Sequence, residues 1–122
     1  MKKILIVEDQ PNIRKLVTMT LEFGEYELFE AEDGGAGMQA MERVRPDLVL
    51  LDVMMPGDLD GYQVCQRIKS RPELRGTVVV LLTARGQKED LDTGRRAGCD
   101  AYLVKPFSPL ELIDTVDRLL AH

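Results

Sequence analysis

Hydrophobic residues are distributed along this chain in two alternating rhythms. Three short aliphatic runs stand out beside a further strand candidate, Ala101 to Val104: Ile4-Leu5-Ile6-Val7, Leu48-Val49-Leu50-Leu51, and Val78 to Leu82. With no polar alternation inside them, they predict strands buried on both faces. Tyr26 to Glu30 mixes apolar and acidic residues and predicts a fifth strand nearer a sheet edge. Between these runs the apolar residues recur at helical spacing. Ile13, Leu16, Val17 and Leu21 form one face, opened by Pro11 and stopped by Gly24; Gly37, Ala40, Met41 and Val44 form a thin second face ended by Pro46. Gly61, Val64, Cys65 and Ile68 form a third, closed by Arg71-Pro72. Gly86 to Gly98 also reads as a helix, but Leu91 is its sole large apolar residue and Gly94 weakens it, so it buries little. Ser108-Pro109-Leu110-Glu111 is a capping box with proline at the first helical position. Leu112, Ile113, Val116, Leu119 and Leu120 then give the broadest apolar helix face.

Five strands alternating with five helices predict an α/β fold: a parallel sheet with right-handed crossovers and helices on both faces. A chain of 122 residues fits one domain, 1–122, and no linker or low-complexity tract divides it. Sixteen basic and 21 acidic residues leave a net charge of −5, which argues against a nucleic-acid surface; Arg95-Arg96 is only a pair, expected on a solvated helix face. No run is long enough to span a membrane, and Met1-Lys2-Lys3 precedes too short an apolar stretch for a signal segment. Cys65 and Cys99 fit no metal spacing and are expected as buried free thiols in a reducing cytoplasm. The one histidine is His122, so mechanisms built on a histidine base or a pair of histidine ligands are nearly excluded.

The chemistry is expected where the strands end, because parallel strands share one C-terminal edge and ligands bind there. The first strand delivers Glu8 and Asp9, the third Asp52, the fourth Thr83 and the fifth Lys105. The second delivers nothing distinctive, as expected of a strand displaced to one side. If the first and third strands are neighbours, Asp9 and Asp52 crowd: two carboxylates ~5 Å apart repel by ~3 kcal/mol at an effective dielectric of ~20. Hard oxygen donors without cysteine or histidine select Mg²⁺. A carboxylate, a divalent ion, an ammonium group and a hydroxyl together form a phosphoryl-binding set. Here Asp52 is the nucleophile, Lys105 neutralises developing charge and Thr83 donates to a phosphoryl oxygen. Each residue alone has an ordinary alternative: Asp9 a helix cap, Thr83 a strand-end hydroxyl, Lys105 a solvated turn residue, Asp52 an Asx-turn. Their meeting at four strand ends favours the functional reading.

Four segments carry a recognisable pattern: Ile6 to Pro11, Pro46 to Gly57, Leu82-Thr83-Ala84, and Gly98 to Phe107. In this order and spacing the chain resembles the receiver domain of bacterial two-component response regulators over essentially its whole length, and single-domain, chemotaxis-type regulators in particular. The resemblance implies a flavodoxin-like (βα)5 fold with strand order 2-1-3-4-5. It implies phosphorylation of Asp52 by a sensor histidine kinase or a histidine phosphotransfer protein. Mg²⁺ would be held by Asp9, Asp52 and the Met54 carbonyl, with Glu8 reaching it through water. It also implies a cis peptide at Lys105-Pro106. Thr83 and Tyr102 are the implied switch; the plainer reading of Tyr102 is a half-buried edge aromatic. Met54 and Arg85 occupy positions expected to tune phosphoryl lifetime. The loop Pro56-Gly57-Asp58-Leu59-Asp60-Gly61 carries one residue more than the usual pattern.

On this reading the protein is a cytoplasmic phosphorylation switch, with no direct nucleic-acid or membrane partner, whose surface around Gly86–Phe107 regulates a downstream protein. It is expected to act as no enzyme beyond catalysing its own phosphorylation and dephosphorylation. Ala101 stands where regulators with DNA-binding output often carry an acid, which leans toward a stand-alone regulator. The alternative is a receiver belonging to a longer regulator with a DNA-binding or enzymatic output domain. An aspartyl-phosphate phosphohydrolase needs a second acid two residues past the nucleophile, where this chain has Met54. A flavin or nucleotide carrier is disfavoured by the acidic, glycine-free Glu8-Asp9-Gln10-Pro11 loop.

Overall fold

A computed structural model of the chain describes residues 1–84 and 88–121. The expectations placed on Arg85, on Gly86 as a helix start and on His122 lie outside those residues. The elements run β1 (Lys2–Val7), α1 (Pro11–Leu21), β2 (Tyr26–Ala31), α2 (Gly34–Val44), β3 (Leu48–Asp52), α3 (Gly61–Ser70), β4 (Val78–Thr83), α4 (Lys88–Ala97), β5 (Ala101–Val104) and α5 (Pro109–Leu120). The strands form one parallel sheet in the order β2-β1-β3-β4-β5. The expected architecture and strand order are therefore both present.

Side chains on a strand alternate between faces, so each unbroken aliphatic run feeds two cores. Leu5, Val7, Val49, Leu51, Val79 and Leu81 pack with Met41, Val64, Cys65 and Ile68 under α2, α3 and α4. Ile4, Ile6, Leu48, Leu50, Val80 and Leu82 pack with Val17, Leu21, Leu112, Val116 and Leu120 under α1 and α5. Each such side chain buried from water contributes roughly 1.5–3 kcal/mol, so the three central strands act as a rigid frame.

The N-terminal edge of the sheet is tied by two acids, one before each of two strands. Asp47 accepts from the Lys3 N–H at 2.8 Å and returns its own N–H to the Lys3 carbonyl. Asp100 does the same with Val79 at 2.8 Å and pairs with Lys69 Nζ at 2.8 Å. At the other edge α2, α3 and α5 begin with clear caps. Asp33 caps α2, Asp60 with Gln63 caps α3, and Ser108 with Glu111 forms the expected box on α5.

Three details differ from the sequence pattern. Leu16 is 55 % exposed instead of joining the core. Its place on the inner face goes to Thr20, whose hydroxyl is satisfied by the Leu16 carbonyl at 2.8 Å and can therefore be buried. Helix α1 ends at Leu21, before Gly24. Cys99 is only half-buried, whereas Cys65 is buried and donates to the Ala97 carbonyl. Among its described side chains, helix α4 buries Gly94 and Ala97 but no large one, as its sequence predicts.

Arg45 ends α2 in the left-handed region, at φ 53°. A β-carbon is strained there, and glycine is not. Arg45→Gly is expected to raise stability by about 0.5–1 kcal/mol in urea unfolding, with the gain reduced by glycine's larger unfolded-state entropy.

Candidate functional site

One rung beyond the paired residues Val7 and Leu51, strands β1 and β3 release Glu8 and Asp52 side by side. Glu8 is wholly buried, Asp52 is 4 % exposed and Asp9 is half-buried. One carboxylate oxygen from each of the three lies within 4.8 Å of the others. Asp9 is not a helix cap: the N-cap of α1 is Gln10, and no side chain closes that end. Asp9 is thus left beside the other acids.

The fifth strand answers this charge. Its ladder to β4 continues one step, with the Lys105 N–H donating to the Thr83 carbonyl at 2.7 Å. The Lys105-Pro106 peptide is cis, as expected. The Lys105 ammonium then reaches back over the sheet edge. It donates to Glu8 Oε1 at 2.8 Å and to Asp52 Oδ1 at 3.1 Å. Glu8 is therefore held directly by the ammonium group, while its second oxygen accepts from the Gln10 N–H at 3.3 Å. Thr83 is buried at the end of β4, between the strands that carry Asp52 and Lys105.

One ammonium group against three carboxylates leaves a net charge of −2 if all are ionised. Asp52 has its pKa raised to about 7. Burial is the largest cause, followed by the hydrogen bond and like charge of Glu8; Lys105 opposes both without cancelling them. Desolvation pulls the Lys105 ammonium down, but its bonds to Glu8 and Asp52 outweigh that and hold it above the usual lysine value.

The remaining predicted residues surround this centre. Met54 lies two residues past Asp52 with its side chain exposed, so no acid stands in that position. The Gly61 N–H donates to the Val53 carbonyl at 3.0 Å, fixing the start of α3 against the Asp52 strand. A β-carbon on Gly61 would lie 2.3 Å from the Asp52 carbonyl oxygen. The long loop between them packs Leu59 onto Gly34, where a β-carbon would come within 2.7 Å of it. Beside it lies a recess of about 450 Å³ lined by Asp33, Pro56, Asp58, Gln63 and Arg67. Tyr102 is half-buried on β5 against the α2–α4 side of the core, and its hydroxyl meets the exposed Arg95, raising the Arg95 pKa.

One participant was not among the residues singled out from the sequence. Arg14 donates through Nη1 to the Glu8 carbonyl at 2.7 Å and through Nε to Glu30 at 3.1 Å. The available signal was a cation one helical turn after two adjacent acids.

Residues 4–117 match the family described as the response regulator receiver domain. The chain is 43 % identical over 118 residues to the transcriptional regulatory protein ResD of Bacillus subtilis (strain 168), covering 97 % of this chain and 48 % of that protein. It therefore spans about half the length of the curated relatives it matches. Among solved structures, the chemotaxis protein CheY4 of Vibrio cholerae superposes with a TM-score of 0.92 at 32 % identity, covering 98 % of this chain and 99 % of that one. The receiver domain of a sensor histidine kinase from Pseudomonas aeruginosa PAO1 gives 0.90 at 30 % identity, covering 99 % and 98 %. That structure has a magnesium ion coordinated in its active site cleft.

The raised Asp52 pKa has a definite sign in stability. Between the ordinary value of 3.8 and about 7, the folded metal-free protein keeps a proton on Asp52 that the unfolded chain has lost. This group's contribution therefore falls as pH rises through that window. Asp52→Asn is expected to stabilise the metal-free protein relative to wild type, by an amount that grows from pH 4 to 7 and then levels off at roughly 2–4 kcal/mol. Urea unfolding of both proteins in a chelator, at several pH values, measures it. A constant difference would mean that Asp52 is not crowded.

Proposed function

The chain belongs to the response regulator receiver domain family, and from that premise we propose that it is a phosphorylation-activated signalling switch whose acceptor is Asp52. The donor is the phosphohistidine of a sensor histidine kinase or a histidine phosphotransfer protein, and the setting is the cytoplasm. The observation that carries this reading is the Lys105 ammonium bridging Glu8 and Asp52 at the sheet edge, with Asp9 beside them.

The donor set fits Mg²⁺: clustered carboxylate oxygens, no sulfur or imidazole, and negative charge that one lysine leaves unbalanced. Asp9, Asp52 and the Met54 carbonyl would hold the ion, with Glu8 reaching it through water. When bound, Mg²⁺ supplies charge neutralisation and a fixed anchor for the phosphoryl oxygens. An Asp52 carboxylate oxygen attacks phosphorus, the P–N bond of the donor breaks, and the imidazole leaves with that electron pair and takes up a proton. Lys105 has two carboxylates to choose between. It can stay on Glu8 while turning from the Asp52 oxygen to a phosphoryl oxygen. Thr83 donates its hydroxyl to the phosphoryl group, and Tyr102 follows it inward. Attack by water later returns Asp52 and inorganic phosphate, so the only reactions catalysed are the protein's own phosphorylation and dephosphorylation.

The output surface is the poorly anchored α4 with β5. Its first two expected residues, Gly86 and Gln87, and the lifetime-tuning Arg85, lie outside the described residues. A downstream protein is the partner, and the net charge of −5 opposes direct contact with nucleic acid. One observation favours a second arrangement: the chain spans about half of relatives such as ResD, named as a transcriptional regulatory protein. There the same switch would control an attached output domain, and the mass of the native product distinguishes the two.

Acetyl phosphate with Mg²⁺ is expected to add one phosphoryl group, seen as a mass shift that chelator abolishes. Asp52→Asn should not label; if it labels as wild type does, the acceptor is elsewhere. Hydrogen exchange across 88–104 should change on phosphorylation, and an unchanged pattern would rule that surface out.

A further inference from the structure

We infer that Arg14 is a positioning residue for the metal-binding acids, a role that rests on the reading that Glu8, Asp9 and Asp52 hold Mg²⁺. Asp9 sits in a turn between β1 and α1 that no side-chain cap closes. The Arg14 side chain braces it instead, on the Glu8 side of Asp9. The backbone N–H of Arg14 donates to the Gln10 carbonyl at 3.0 Å. Its guanidinium donates through Nη1 to the Glu8 carbonyl at 2.7 Å. The residue after Asp9 is thus fixed by the first main-chain bond of α1, and the residue before it by the arginine side chain.

The guanidinium is itself held in place. Nε donates to Glu30 on β2 at 3.1 Å, and the Arg14 side chain is only 15 % exposed. On the other side of the same strand end, the Glu8 N–H donates to the Ala31 carbonyl at 3.1 Å. The β1–α1 turn is therefore pinned to β2 through main chain at one point and through Arg14 at another. Glu8 is gripped twice by cations, its carboxylate by Lys105 and its carbonyl by Arg14. Lys105 spends charge on the site; Arg14 spends its charge on Glu30 and gives the site geometry. A planar guanidinium can serve both Glu30 and the Glu8 carbonyl at once, and a single ammonium group is poorly shaped for it.

The sign of the effect separates this role from a simple charge effect. Arg14 is a cation near a cation site. If it acted only through its charge, removing it would tighten Mg²⁺ binding. If it positions Asp9, removing it loosens binding although the site becomes more negative. Groups that orient metal ligands cost on the order of 10–100-fold in affinity when lost.

The test is calorimetric titration of MgCl₂ into wild type, Asp9→Asn, Arg14→Met and Arg14→Lys, with circular dichroism and urea midpoints for each. Arg14→Met is expected to bind about 10-fold more weakly than wild type while remaining folded. Arg14→Lys, which keeps the charge, is expected to lose several-fold. Equal or tighter binding by a folded Arg14→Met overturns the inference. Should that variant not fold, unchanged affinity in Arg14→Lys overturns it. A lowered urea midpoint with unchanged affinity would make Arg14 a structural residue only, and also overturns it. If wild type binds no Mg²⁺, or Asp9→Asn binds as tightly, the acid-cluster reading itself fails, a result separate from the Arg14 variants.

Discussion

The structure depends on one constraint: three carboxylates converge at the end of a buried sheet and a single ammonium group must serve two of them. Lys105 is bonded to Glu8 and Asp52 from a strand two places away from β3, so it can arrive only if β4 and β5 add in order on that side. The aliphatic runs that look like mere core are what make this possible. Because β1, β3 and β4 are packed on both faces, their ends cannot drift apart to relieve the repulsion. The strain is kept where a cation or a phosphoryl group can use it.

Much of this was legible in the sequence because its signals were unambiguous. Unbroken aliphatic runs marked the three central strands, and an acid, an alcohol or a lysine at the ends of four of the five strands marked the edge. The acidic, mixed run at Tyr26 to Glu30 marked β2 as the outer strand, and it is. What the pattern could not supply was pairing between side chain and main chain. Thr20 is buried and Leu16 exposed, since a hydroxyl that bonds back to its own helix can enter a core, which hydrophobic periodicity does not register. The same blindness hid Arg14, whose partner is a carbonyl.

Helix α4 shows how a signal could travel from this site. It rests on Gly94 and Ala97, and the Tyr62 hydroxyl donates to the Asp90 carbonyl at 3.3 Å. No large apolar side chain of α4 is fully buried, so little burial energy opposes its displacement. Thr83 and Tyr102 sit on the strands that precede and follow it. A change in charge at Asp52 is thus one strand away from β4, whose chain leads into this thinly anchored helix.

The long loop after Asp52 is tied down at both ends. Its start is held by the Val53 N–H on the Leu82 carbonyl at 2.9 Å, and its finish by Gly61, pressed against the Asp52 carbonyl. Extra length between those two anchors has nowhere to go but outward, over the recess beside α3. Variation there is insulated from the reacting atoms: the chain can reshape its outer rim, and whatever meets that rim, without retuning the chemistry a few residues away.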